Sequence, residues 1–133
     1  MDIRISSPIR LALEILDAEE EYFPSLSFHC LARIQPSSQS AAITYEDRFW
    51  IQAGVFDAFV DGLRTRAAEA IFESVDGYFS LRVARTGDTI LFRLAATPRI
   101  LYVSRLSLQY EVEISEDTAL ILKERFVAFP KWW

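Results

Sequence analysis

The chain holds one imidazole and one thiol, and they are adjacent: His29-Cys30. A thiolate beside a base is a nucleophile, so this pair is the first candidate for covalent chemistry. The run around it places Leu26, Phe28, Cys30, Ala32 and Ile34 in alternation with Ser27, His29, Leu31 and Arg33. That period of two predicts a strand, and successive side chains of a strand point to opposite faces. Cys30 then belongs to the core and His29 to the other face, and no activated pair forms. A single cysteine also excludes an intramolecular disulfide and a Cys-based zinc site, and a single histidine excludes a His-rich metal centre. Four glycines in 133 residues leave little room for a phosphate-cradling loop. No catalytic residue, no metal and no cofactor is expected.

Carboxylates are the remaining candidates. Glu111 and Glu113 lie two apart in a strand-like run and share a face, as a general acid–base pair would. A solvated strand edge accounts for them equally well. Asp57 and Asp61 lie one helical turn apart and read as a solvated helix face. The segment D-A-E-E-E-Y-F-P-S (17–25) concentrates Asp17, Glu19, Glu20 and Glu21 beside Tyr22. Consecutive carboxylates do not converge on a cation without the turn-forming glycine of a calcium loop, and Pro24-Ser25 marks a turn. The segment therefore reads as an acidic hairpin tip. The expectation is a non-catalytic protein whose partner-binding residues are Asp17, Glu19, Glu20, Glu21, Tyr22, Glu111 and Glu113.

Net charge agrees with that choice. Nineteen acidic residues against fourteen basic ones leave −5, which favours solubility and suits a basic partner. A nucleic-acid binder carries a basic stripe for the phosphates. Here the twelve Arg and two Lys are scattered along the sequence, so nucleic acid is not an expected partner.

The elements that must position these residues follow from periodicity. Ile9, Leu11, Leu13 and Ile15 alternate and predict a first strand, 26–34 is its hairpin partner, and Ala41, Ile43 and Tyr45 suggest a third strand. Val55, Phe56, Phe59, Val60 and Leu63 form one stripe at helical spacing, a helix over about 53–67, with Trp50 as a core plug at its start. Period two returns at Ala70 and Phe72. Asp76-Gly77 predicts a type I′ hairpin, and Thr86-Gly87-Asp88 a further turn. Phe79, Leu81 and Val83 form one strand, and Ile90, Phe92 and Leu94 the next. A β-rich stretch from Ile100 to Ile114 closes the series. Ser115 is an N-cap followed by Glu116 and Asp117, and Ala119, Leu122, Phe126 and Phe129 share one face of a helix over about 115–129. The terminal Trp132 and Trp133, beyond the helix stop at Pro130, either fold back to plug the sheet or stand ready for a partner.

The expected fold is α+β. It is a bent antiparallel sheet of about six to seven strands with two helices, in the order βββ-α-ββββ-α, within a single domain spanning 1–133. The N-terminal segment lacks an apolar run of signal-peptide length, and no window approaches the ~18 apolar residues of a membrane span. A cytoplasmic protein with no membrane partner is expected. Exposed sheet edges leave room for a homodimer.

Three segments carry a resemblance: F-W-I-Q-A-G-V-F-D-A-F-V-D-G-L (49–63), A-I-F-E-S-V-D-G-Y-F-S-L-R-V (70–83) and the closing helix 116–129. Their order resembles the WapI-type bacterial immunity proteins over most of residues 9–129. The resemblance implies a cytosolic protein that binds a cognate toxin and blocks it without chemistry of its own. A basic toxin would suit the acidic residues through electrostatic steering. The competing expectation is a small-ligand-binding domain with an apolar cavity between sheet and helices.

Overall fold

The computed structural model describes residues 2–36, 40–97 and 106–129. Eight strands and two helices follow one another as β1 (Asp2–Ile5), β2 (Arg10–Glu19), β3 (Ser25–Ile34), β4 (Ile43–Gln52), α1 (Ala53–Thr65), β5 (Glu69–Glu73), β6 (Phe79–Thr86), β7 (Thr89–Ala96), β8 (Leu108–Ile114) and α2 (Glu116–Val127). The α+β class is as expected. The strands do not form one bent sheet: they form two antiparallel four-stranded sheets, β1-β2-β3-β4 and β5-β6-β7-β8, each in sequence order. The order is ββββ-α-ββββ-α, so one element pattern occurs twice without any visible sequence repeat.

The extra strand is β1. Its Ile3 and Ile5 are buried and alternate with exposed Asp2 and Arg4, a signal only four residues long. The third strand also runs further than Ala41, Ile43 and Tyr45 predicted, continuing through Phe49 and Ile51 to Gln52. Trp50 therefore sits on the outer face of β4, 39% exposed, and is not a core plug. Both hairpin turns of the second sheet were expected, but the Asp76-Gly77 turn is not type I′. Only Gly77 has a positive φ, of 76°. The connection spans five residues and is closed by a bond from Ser74 N–H to Phe79 O. Asp76 serves it through its side chain instead, accepting from Ser74 Oγ at 2.6 Å and from Tyr78 N at 3.1 Å. The buried Ser74 in turn accepts from Phe79 N at 3.0 Å, so its hydroxyl is satisfied. Gly87 opens the two-residue β6–β7 turn with a φ of 60°, the conformation a type II′ hairpin needs at its first central position.

The inner faces of both sheets and the apolar faces of both helices meet in one core. Its centre is Phe72 on β5, fully buried. Its ring meets Phe28 of β3 at 5.6 Å, Phe59 of α1 at 5.6 Å, Phe126 of α2 at 6.1 Å and Phe79 of β6 at 6.3 Å, all edge-on. Edge-to-face contacts favour the ring quadrupoles and add to the area each phenyl buries. A second contact, Phe49 of β4 stacked on Phe79 at 4.4 Å, joins the sheets again.

The helix ends are fixed by polar contacts. Ser115 caps α2 by accepting from Thr118 N. Glu116 in its first turn receives Arg66 at 2.7 Å and Arg85 at 2.9 Å, tying α2 to the end of α1 and to β6. Gly62 allows α1 to lie close on β5, because a Cβ there would stand 2.9 Å from the Ala70 side chain. The terminal Trp132 and Trp133 lie outside the described residues.

Removing the central ring should be severe. Phe72→Ala is expected to cost about 3–5 kcal/mol, read as a drop in the urea midpoint with an unchanged slope. A loss below about 1 kcal/mol would mean the ring is not the hub.

Candidate functional site

Sheet one carries His29 and Cys30 on opposite faces, as the alternation requires. Cys30 is fully buried, and burial pushes its thiol well above the ordinary range, with Asp47 on the neighbouring strand adding to the effect. Burial and the adjacent Asp47 carboxylate raise the Tyr45 phenol in the same direction. Both groups are held neutral inside the fold, which is the opposite of nucleophile activation. His29 lies on the outer face between two carboxylates, with Nε2 2.7 Å from Glu46 and Nδ1 3.8 Å from Glu14. No thiol or hydroxyl is bonded to it among the described residues.

Five of the seven expected partner-binding residues come together. Strand β2 runs on through Asp17 to Glu19, further than the first predicted strand, and pairs with Ser25–Ser27 after an irregularity at Ile15/Asp17. The tip is thus residues 20–24. Glu19, Glu20 and Glu21 are exposed and form no ion pair among the described residues. Tyr22 is 82% exposed, and beside it Phe23 is 75% exposed. Phe23 was not singled out by sequence reasoning, although its place between Tyr22 and Pro24 at a turn was the available signal. Two large rings in water at a loop tip, flanked by carboxylates, resemble the aromatic anchors of a binding surface more than stray apolar groups.

Glu111 and Glu113 do share a face of β8, but they belong to the other sheet. Glu111 is ion-paired with Arg93 on β7, so its charge is already compensated within the fold. Glu113 stands opposite Leu91.

The arginines are less scattered than the sequence indicated. Arg10 on β2 and Arg33 on β3 are direct cross-strand neighbours. With Arg4 on β1 and Arg125 on α2 they line an open groove of about 570 Å³, whose apolar wall includes Leu31 and Ile121. The signal was present in the hairpin register: once the β2–β3 turn is placed, Arg10 must face Arg33.

No family model and no curated protein matches the chain. Among solved structures, that of MRP1/MRP2 from Trypanosoma is similar at a TM-score of 0.45 and 16% identity, over 96% of this chain and 79% of that one. A likeness of that strength assigns no family and no activity.

The Cys30 environment gives a direct test. A thiol whose folded pKa is raised stays protonated, so Ellman's reagent at pH 8 should leave the native protein unlabelled and label one thiol after denaturation. Because the unfolded thiol ionises near its ordinary pKa of about 8.5 while the folded one does not, stability should fall as pH rises through that value. Rapid native labelling would contradict the buried placement.

Proposed function

We propose that the protein acts by binding and not by catalysis, and that its working surface is the β2–β3 hairpin tip. The observation that carries this reading is the pairing of Tyr22 and Phe23, both largely in water, with Glu19, Glu20 and Glu21, which have no counter-charge among the described residues. Rings of this kind supply contact area at low conformational cost, and the carboxylates around them steer a basic partner into place. The partner that fits is a protein with a basic surface and a shallow apolar pocket. Nucleic acid does not fit, since its phosphates would meet the carboxylates. The resemblance to WapI-type immunity proteins would make that partner a toxin and the protein its inhibitor, with the cytoplasm as the place where they meet.

The interior favours this over an apolar ligand cavity. The space between sheets and helices is occupied by the rings around Phe72, with Phe56 lying against Phe28 at 6.2 Å and against Phe126 at 6.4 Å. The burial of the Cys30 thiol, and a His29 that bonds no thiol or hydroxyl among the described residues, suit a protein without chemistry of its own. Among the described residues no helix is long and apolar enough to cross a membrane.

Two variants of the full chain test the reading side by side. Reversal of Glu19, Glu20 and Glu21 to Lys should alter stability by no more than about 0.5 kcal/mol, because the groups are solvated. The same change should abolish capture of a basic protein from the source lysate at low salt. Tyr22→Ser with Phe23→Ser, which keeps the charge, should slow no encounter but shorten the lifetime of the complex in a surface-binding assay. Identical proteins captured by all three baits would rule the tip out as the interface, and unfolding of the triple Lys variant would show that the tip charges are structural.

A further inference from the structure

The groove beside β1, β2 and β3 carries a charge arrangement that the fold itself does not explain. Like charges placed directly opposite on neighbouring strands are destabilising. Among the described residues there are two such arginine pairs, and they are treated differently. In the second sheet Arg82 and Arg93 face each other, and each is neutralised from the flanking strand: Arg82 by Glu69 at 2.9 Å, Arg93 by Glu111. In the first sheet Arg10 and Arg33 face each other with no carboxylate on either among the described residues. Arg125, reaching the same groove from the last turn of α2, is also without an ion pair among the described residues. Arg4 is paired with Asp2 on its own strand. In the next row Glu46, opposite Leu31, is bonded to His29. In a chain of net charge −5, three uncompensated guanidinium groups converge on one place.

The shape of the place follows from register. Ala12 lies between Arg4 on one side and Leu31 on the other. Arg10 and Arg33 occupy the next row of the same face, two residues along. The small Ala12 side chain is thus the floor of a trough. Its sides are guanidinium groups and two apolar side chains, Leu31 at 42% and Ile121 at 47% exposed.

We propose that this trough binds a small phosphorylated ligand of the nucleoside diphosphate class. Planar guanidinium forks match phosphate oxygens two by two, and three of them call for more than one negative charge. Leu31 and Ile121 offer an apolar wall for a planar base. The groove volume of about 570 Å³ falls in the range of small-molecule sites. A long polyanion is disfavoured, because beyond the groove it would run over a surface whose overall charge is negative. The site is distinct from the hairpin tip, so it does not depend on how the tip functions.

The test is thermal unfolding and titration calorimetry of the full chain at constant ionic strength, with ADP, pyrophosphate, adenosine and an oligothymidylate as probes. ADP should bind saturably at one site and raise the melting temperature, pyrophosphate should bind more weakly, and adenosine and the oligothymidylate should have no effect at physiological salt. Arg33→Glu should weaken ADP at least about tenfold and, by relieving the repulsion with Arg10, raise the melting temperature of the free protein. Ala12→Phe, which fills the trough and leaves the charges, should also weaken ADP with the free melting temperature unchanged. Four results would overturn the proposal. These are no saturable ADP binding at millimolar concentration, equal ADP binding in both variants, tighter binding of the oligothymidylate than of ADP, and a lower free melting temperature for Arg33→Glu.

Discussion

The whole structure depends on one aromatic contact set. Phe72 is the residue at which β3, α1, β6 and α2 all meet ring to ring. Neither four-stranded sheet has a partner for its inner face except the helices and the other sheet. An antiparallel sheet with one apolar face must bury it. Two short helices cannot cover two such faces alone, so the halves share a centre, and the phenyl rings fill it to the density a core requires. The close approach of α1 to β5 at Gly62 and the three-way contact of Glu116 with Arg66 and Arg85 hold the helices in the one position that lets the rings interlock.

That shared centre leaves two outer faces and one hairpin tip for everything else. On the second sheet the facing arginines are each compensated: Arg82 by Glu69 and Arg93 by Glu111. On the first sheet and its hairpin two groups of charges stay unpaired among the described residues. Carboxylates without counter-ions surround Tyr22 and Phe23 at one end, and arginines without counter-ions surround Ala12 near the other. A folded protein gains nothing in stability from either arrangement, since like charges repel and exposed rings order water. Arginines and carboxylates gathered in separate places on one sheet are an arrangement that the fold does not require.

Much of this was legible in the sequence where the pattern was long. The β3 alternation from Leu26 to Ile34 placed Cys30 and His29 on their correct faces, and Ser115, Glu116 and Asp117 marked the start of α2. Both helices lie within the predicted bounds, because a stripe of four or more apolar residues at helical spacing has few alternatives. Short or composite signals misled. β1 offers only Ile3 and Ile5, and β4 reads as a strand only if Asp47 is accepted on an inner face, where it bonds to Tyr45 at 3.1 Å. Trp50 reads as a core plug from its place just before α1, although its parity with Arg48 and Gln52 places it outside. The division into two sheets was not readable at all, since it is decided by which inner faces meet at Phe72. The groove escaped for the same kind of reason: Arg4, Arg10, Arg33 and Arg125 are far apart in sequence, and only strand register and the placement of α2 collect them.

The central claim is that the two ββββα halves are one cooperative unit held by a common ring cluster, so that the tip and the groove are displayed on a rigid platform. Native-state hydrogen exchange tests it most directly. The most protected amides of β3, around Phe28 and Cys30, and those of β6, around Phe79 and Leu81, should exchange with the same free energy, equal to that of global unfolding. A second-sheet set that opens well below the first would show that the halves unfold independently, and the shared centre would not be what holds the structure together.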